Sequence, residues 1–417
     1  VAGRRRTGRT AGGVVSAALV LALVGSCDAA GGDSGDGTRA DRAAVQRLLD
    51  RQAAAVRNGN ERAYLATVTS PGPFRRTFRN LRKLPLAEWS YRVTRVTPDA
   101  GDGTGGTAEA RLRYRLKGHD RAASTAVEKL ELVRAAGRWR VSGEAADSER
   151  QLWEQGELTV VRGERSLVLG VGRSRRTLRA LARTADRAVP AVSGAWPRDW
   201  QRTLVVEAPA SVPDLARLLG EPASAAGTYE GIAAVTTGEA GGPGRRDAPA
   251  DRIVVNPRAY GVLSAEGRQI VTTHEATHVA TRRQTTSATP MWLSEGLADW
   301  VAYRSSPLGR RGAAAIAPEL AREVRETGPP RALPTDRDFR FGSDADQLAR
   351  AYQGGWLACR MIAERWGERR LVSLYERVGR SGTDTKGADR ALRAELGVGE
   401  KEFTGLWRTY VRERLAE

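Results

Sequence analysis

Thr272-Thr273-His274-Glu275-Ala276-Thr277-His278, followed after sixteen intervening residues by Glu295 in the run Pro290-Met291-Trp292-Leu293-Ser294-Glu295-Gly296-Leu297-Ala298-Asp299, is the stretch on which the reading of this chain turns. On an α-helix, positions i and i+4 lie one turn apart on the same face. Two imidazoles at that spacing can grip one metal ion while the glutamate between them looks into the same cleft. The chain holds three histidines, and two of them fall here. A chance pairing at this spacing is rare when histidine is so scarce. A catalytic metal of this kind takes three protein ligands and keeps a fourth position for water, so a third ligand is needed from elsewhere in the chain. A gap of sixteen residues is long enough for the chain to turn and send a second helix back past the first.

The surrounding residues define the rest. The string His-Glu-x-x-His followed by Trp-Leu-Ser-Glu-Gly-Leu-Ala resembles the peptidase MA-like gluzincin families, over roughly residues 151–417 and most closely over 271–303. The resemblance implies Zn2+ as cofactor, Glu295 as its third ligand beside His274 and His278, and Glu275 as the general base for hydrolysis of a peptide bond by a zinc-activated water. It also implies a small β-rich lobe followed by a helical lobe. Asp299 stands one helical turn beyond Glu295, where thermolysin-like enzymes keep a carboxylate that receives the second N–H of a ligating imidazole; an ordinary surface aspartate is the other reading. Ala351-Tyr352-Gln353-Gly354-Gly355 resembles the Tyr-x-x-Gly that follows the zinc helices in aminopeptidase-like gluzincins, where the hydroxyl donates to the oxyanion. Tyr352 is therefore either a catalytic donor or a packed tyrosine at a helix start. The aminopeptidase strand motif Gly-x-Met-Glu-Asn has no counterpart, since the methionines are Met291 and Met361. That departure points to an endopeptidase-like enzyme, or one with an unusual way of recognising chain ends, acting on a peptide or protein substrate.

Upstream, residues 40–68 carry apolar side chains at helical spacing, with Asn58-Gly59 as a stop. Alternating segments at 88–96, 108–117, 126–135 and 137–142 read as strands. A helix against a curved antiparallel sheet resembles the cystatin-type, ketosteroid-isomerase-like cone, a fold with many functions and none that transfers. His119, in the turn Gly118-His119-Asp120, reads as a solvated loop residue. From residue 151 strands and helices mix, with strands at 158–161, 166–171, 203–207, 233–237 and 252–256 and helices at 176–192 and 212–219. Helical spacing dominates from 267 onward. The fold class is α+β: a cone-like domain at 40–146 and a gluzincin-type metallopeptidase domain at 147–417.

The first residues carry an address. Arg4, Arg5, Arg6 and Arg9 precede an apolar stretch too short to span a bilayer, which reads as a signal peptide over 1–26. Val24-Gly25-Ser26-Cys27 resembles a bacterial lipobox and implies lipidation of Cys27, a flexible linker over 27–39, and an anchor on the outer face of the cytoplasmic membrane. Cys359, in Trp356-Leu357-Ala358-Cys359, reads as a buried, inert thiol. Lys and Arg outnumber Asp and Glu by 67 to 49, a formal charge of +18 spread along the chain. Such a surface attracts anionic cell-envelope polymers, and no zinc-finger spacing, RNA-binding signature or basic heptad region argues for specific nucleic-acid binding. A different class of function also fits these features: a surface lipoprotein that binds or scaffolds, with the zinc fold catalytically idle.

Overall fold

The computed structural model describes residues 34–99, 104–145, 148–237, 251–304, 306–339, 344–382, 384 and 386–416. The stretches read as signal peptide and lipobox, with Cys27, lie outside the described residues. None of the helices described is long and apolar enough to cross a membrane.

The N-terminal part begins with α1 (Ser34–Asn58), which reaches six residues into the stretch read as linker. Extending a helix from a packed segment adds one hydrogen bond for each residue fixed, so the boundary moves easily. Gly59 ends it with φ +66, and α2 (Glu61–Leu65) and α3 (Pro71–Leu81) follow. Four strands, β1 (Leu86–Pro98), β2 (Gly105–Leu116), β3 (Ser124–Ala135) and β4 (Arg138–Glu144), form an antiparallel meander in sequence order. Along β2 the buried residues are Gly106, Ala108, Ala110, Leu112, Tyr114 and Leu116, a period of two that gives one face to the core and leaves the arginines between them outside.

The second sheet has the order β5-β6-β7-β9-β8, built from β5 (Leu158–Arg162), β6 (Ser166–Val171), β7 (Leu204–Ala208), β8 (Ala234–Thr236) and β9 (Ile253–Val255). Pairing is parallel at β6–β7 and β7–β9 and antiparallel at both edges. Every residue of β6 and β7 is buried. Strands covered on both faces read as continuous apolar runs, and alternate residues here feed two cores. Leu167, Leu169, Val171 and Val205 pack with Trp89, Tyr114 and Trp153 of the N-terminal part. Val168, Leu204 and Val206 pack instead with α4 (Arg175–Ala195) and the helical half of the chain. The N-terminal sheet therefore shares a hydrophobic cluster with β5–β7. Asn80, fully buried, stitches the two by donating to the Trp153 and Gly156 carbonyls at 2.8 and 2.7 Å and accepting from Leu158 N at 3.0 Å.

After the short helices α5 (Val212–Leu218) and α6 (Ala259–Val262), the chain enters α7 (Ala265–Thr281) and α8 (Met291–Arg304). The remainder is α9 (Ala313–Ile316), α10 (Pro318–Thr327), α11 (Ala345–Trp366), α12 (Glu368–Arg380), α13 (Gly387–Leu396) and α14 (Glu400–Leu415). The large apolar cluster runs from α4 through α7 and α8 to α11, α12 and α14, and Cys359 lies fully buried within it.

His119 departs from its reading as a solvated loop residue. It is half-buried, and its Nδ1 lies 2.8 Å from Thr203 Oγ1, across the junction of the two parts. Burial, the leading cause, lowers its pKa from the ordinary histidine value. Beside it, Asp120 forms a bidentate pair with Arg252 at 2.8 and 2.9 Å, with both side chains almost fully buried. A turn between two strands reads as exposed in sequence because the second surface that covers it lies more than eighty residues away.

Candidate metal centre

Ser264 caps α7 by accepting from Gly267 N at 3.0 Å. The helix is rich in threonine on its buried side, and Thr273, Thr277 and Thr281 each donate to the carbonyl four residues earlier at 2.8, 2.8 and 3.0 Å. These internal bonds let a polar helix face be buried without stranding its hydroxyls. Ala276 and Ala280 fill the remaining space against the apolar cluster, which leaves His274 and His278 together on the other face.

The turn after α7 folds tightly against α12. A β-carbon on Gly379 would lie 1.8 Å from the Gln284 carbonyl oxygen, so glycine alone permits this approach. Met291 N donates to Asp336 Oδ1 at 2.9 Å at the start of α8, and α8 then returns alongside α7. Glu295 consequently reaches both histidines: its Oε2 is 3.2 Å from His274 Nε2 and 3.4 Å from His278 Nε2. The two Nε2 atoms are 3.1 Å apart. One donor atom from each of His274, His278 and Glu295 lies within 4.8 Å of the others, a group able to hold a metal ion.

Asp299, one turn along α8, takes the other nitrogen of His274, with Oδ1 2.8 Å from Nδ1. An N–H donated to a carboxylate fixes the tautomer that presents Nε2 to a metal. The charges agree with a site shaped for a cation. Burial opposes the imidazolium of His274, but Asp299 and Glu295 outweigh it and raise its pKa well above the ordinary value. Burial likewise works against ionised Glu295, yet His278 and His274 hold its carboxyl below the usual range. Two partly buried imidazoles and a buried carboxylate, converging and backed by a further carboxylate, are the donor set that suits zinc.

Glu275 points elsewhere. Its carboxylate is not in the donor cluster; Oε2 accepts from Thr236 Oγ1 of the edge strand β8 at 2.6 Å. Tyr352 comes from α11, which crosses α8 at Gly296 and Gly355. Its ring centroid is 6.2 Å from that of His274 and 5.2 Å from that of Phe339. Burial raises the Tyr352 pKa well above the ordinary phenol value, and the carboxylates of Glu295, Asp299 and Glu275 raise it further, so the hydroxyl keeps its proton. A cleft of about 460 Å3 opens beside Asp299 and Tyr352, with Ile232, Ile316, Leu348 and Trp356 among its walls.

His274, Glu275, His278, Glu295, Asp299 and Tyr352 are thus brought to one place from three helices. Sequence reasoning placed a strand at 233–237 but missed the contact of Thr236 with Glu275, since nothing in the strand marks which of its side chains meets a helix almost forty positions later. It also missed the buried Asp120–Arg252 pair and Asp251, which meets Arg282 at the C-terminal end of the motif helix α7 at 2.9 Å.

No family model and no curated protein matches the chain. Among solved structures it is similar to an M1 zinc metallopeptidase from Deinococcus radiodurans, with 14% identity and a TM-score of 0.34 over 80% of this chain and 63% of that one. A mutant of that enzyme gives 15% identity and a TM-score of 0.33, and the mutant bound to a Tyr-Ser-Ala substrate gives 15% and 0.34. The chain spans less than two thirds of the length of each.

Proposed function

We propose that the chain is a zinc metallopeptidase that hydrolyses peptide bonds, with His274, His278 and Glu295 as ligands. The observation that carries this reading is the convergence of three donors, buried Glu295 and the partly buried His274 and His278, within 4.8 Å, backed by Asp299 on the free nitrogen of His274. A bound zinc ion would supply Lewis acidity toward a peptide carbonyl and make water acidic enough to ionise near neutral pH. Glu275 accepts the proton of the attacking water and returns it to the leaving amine. Tyr352, protonated in its buried setting, donates a hydrogen bond to the oxyanion that develops on the carbonyl. Asp299 keeps His274 in the tautomer that binds. The apolar walls of the adjoining cleft favour a substrate with a bulky apolar side chain next to the scissile bond.

Zinc content decides the ligand set: wild type should hold one equivalent, and His274→Ala, His278→Ala and Glu295→Ala should each lose it. Digestion of a mixed peptide library with and without chelator decides the activity. Chelator-sensitive cleavage supports the peptidase; one bound zinc with no cleavage of any peptide would turn the reading to the scaffold lipoprotein. The anchoring reading, lipidation of Cys27 and attachment to the outer face of the membrane, rests on residues 4–27. Cell fractionation tests it, because Cys27→Ser should release the chain from the membrane fraction.

A further inference from the structure

We propose that Thr236 is a positioning residue for Glu275, holding the carboxylate so that one oxygen is tied to the edge strand and the other is left for the water. The inference rests on the reading of Glu275 as the base. Thr236 Oγ1 lies 2.6 Å from Glu275 Oε2 and 3.2 Å from the Glu275 carbonyl oxygen. A hydroxyl carries one proton, and the shorter contact, to the charged acceptor, is the one that takes it. Glu275 is 7% exposed, so bulk water competes weakly for that oxygen.

The strand that carries Thr236 is itself fixed. In β8, Ala234, Val235 and Thr236 pair with Val255, Val254 and Ile253 of β9. One residue on, Thr237 N donates to the Arg252 carbonyl at 2.8 Å, and Arg252 N donates to Thr237 Oγ1 at 3.1 Å. The Arg252 guanidinium is gripped by Asp120 in the β2–β3 turn and sits 4.0 Å from buried Glu207. The orientation of Glu275 is therefore referenced to β9, and through Arg252 to the N-terminal sheet. A β-branched threonine suits the post, because its χ1 is restricted on a strand and its hydroxyl stays aimed.

The test compares zinc-loaded wild type, Thr236→Val and Thr236→Ser. Valine keeps the shape and removes the donor; serine keeps the donor. Leucine hydroxamate serves as the probe, since a hydroxamate chelates the metal and donates a hydrogen bond to the neighbouring glutamate. Thr236→Val should keep one zinc, bind the hydroxamate about 10-fold more weakly, and lose about 10-fold in kcat with KM nearly unchanged, the loss of one hydrogen bond to a charged group. Thr236→Ser should recover most of both. Wild-type hydroxamate affinity in Thr236→Val would overturn the proposal, as would an equal loss in Thr236→Ser or loss of zinc from Thr236→Val, which would give the hydroxyl a role in building the site instead. Hydroxamate binding needs no turnover, so it judges Thr236 even if wild type cleaves no peptide, the outcome that would defeat the peptidase reading alone.

Discussion

The carbonyl oxygen of Gly355 lies 2.2 Å from the position that a β-carbon on Gly296 would take, and a β-carbon on Gly355 would in turn lie 2.8 Å from the Trp292 carbonyl. Helices α8 and α11 touch backbone to backbone at this crossing. Gly296 follows the proposed ligand Glu295 directly, and Gly355 is one turn after Tyr352, so the contact sets how far the tyrosine stands from the donor cluster. Gly296→Ala must push the helices apart. The expected result is a loss of about 1 to 3 kcal/mol in stability from overpacking, with a fall in kcat as Tyr352 withdraws. Thermal melting beside kinetics checks it; a variant with unchanged melting and unchanged kcat would mean that α11 accommodates the methyl without moving Tyr352.

Tyr352→Phe isolates the hydroxyl from that geometry. An oxyanion donor acts in the transition state, so kcat should fall by about 100-fold while KM moves little. Activity equal to wild type would leave the ring, packed on Phe339, with a structural role only.

The motif was legible because its chemistry is local: His274 and His278 need only the helical repeat to share a face. Glu295, Asp299 and Tyr352 stood out only through the resemblance of the strings around them to gluzincin motifs, which local periodicity alone does not supply. The continuous apolar run of β6 announces a strand but not what covers each face, and only the fold shows Leu167 and Leu169 turned to the N-terminal cluster and Val168 to the helical one. His119 was misplaced, and the burial of Asp120 missed, for the same reason. A turn carries no mark of the surface that buries it, and their partners Thr203 and Arg252 are distant in sequence.

The charge state of the metal-free centre makes a pH prediction. His274 has its pKa raised well above the ordinary histidine value when folded. A raised pKa contributes stability that is fully present below the unfolded value of about 6.5 and is lost as pH rises through the folded value. Metal-free protein should thus lose stability as pH climbs past the ordinary histidine range. Zinc binds deprotonated imidazole, so it takes over the role of the proton and its stabilising effect should grow across the same window. Melting temperatures with zinc and with chelator, measured from pH 6 upward, test this. A zinc-induced shift that shrank with rising pH would contradict the linkage.

Glu275 carries the claim that separates catalysis from metal binding. It adjoins the proposed ligand His274 on α7, and its carboxylate is turned to Thr236 and stays out of the donor cluster. Glu275→Gln keeps the size and the ability to accept the Thr236 hydrogen bond while removing the proton acceptor. The variant should keep one zinc and a melting temperature close to wild type, and should lose the general-base contribution of roughly 10²- to 10⁴-fold in kcat. Zinc content, melting temperature and kcat on a peptide cleaved by wild type are the three measurements required. Loss of zinc would make Glu275 a ligand, whereas retained activity with retained zinc would assign proton transfer to another group, and either result would remove Glu275 from the role proposed for it.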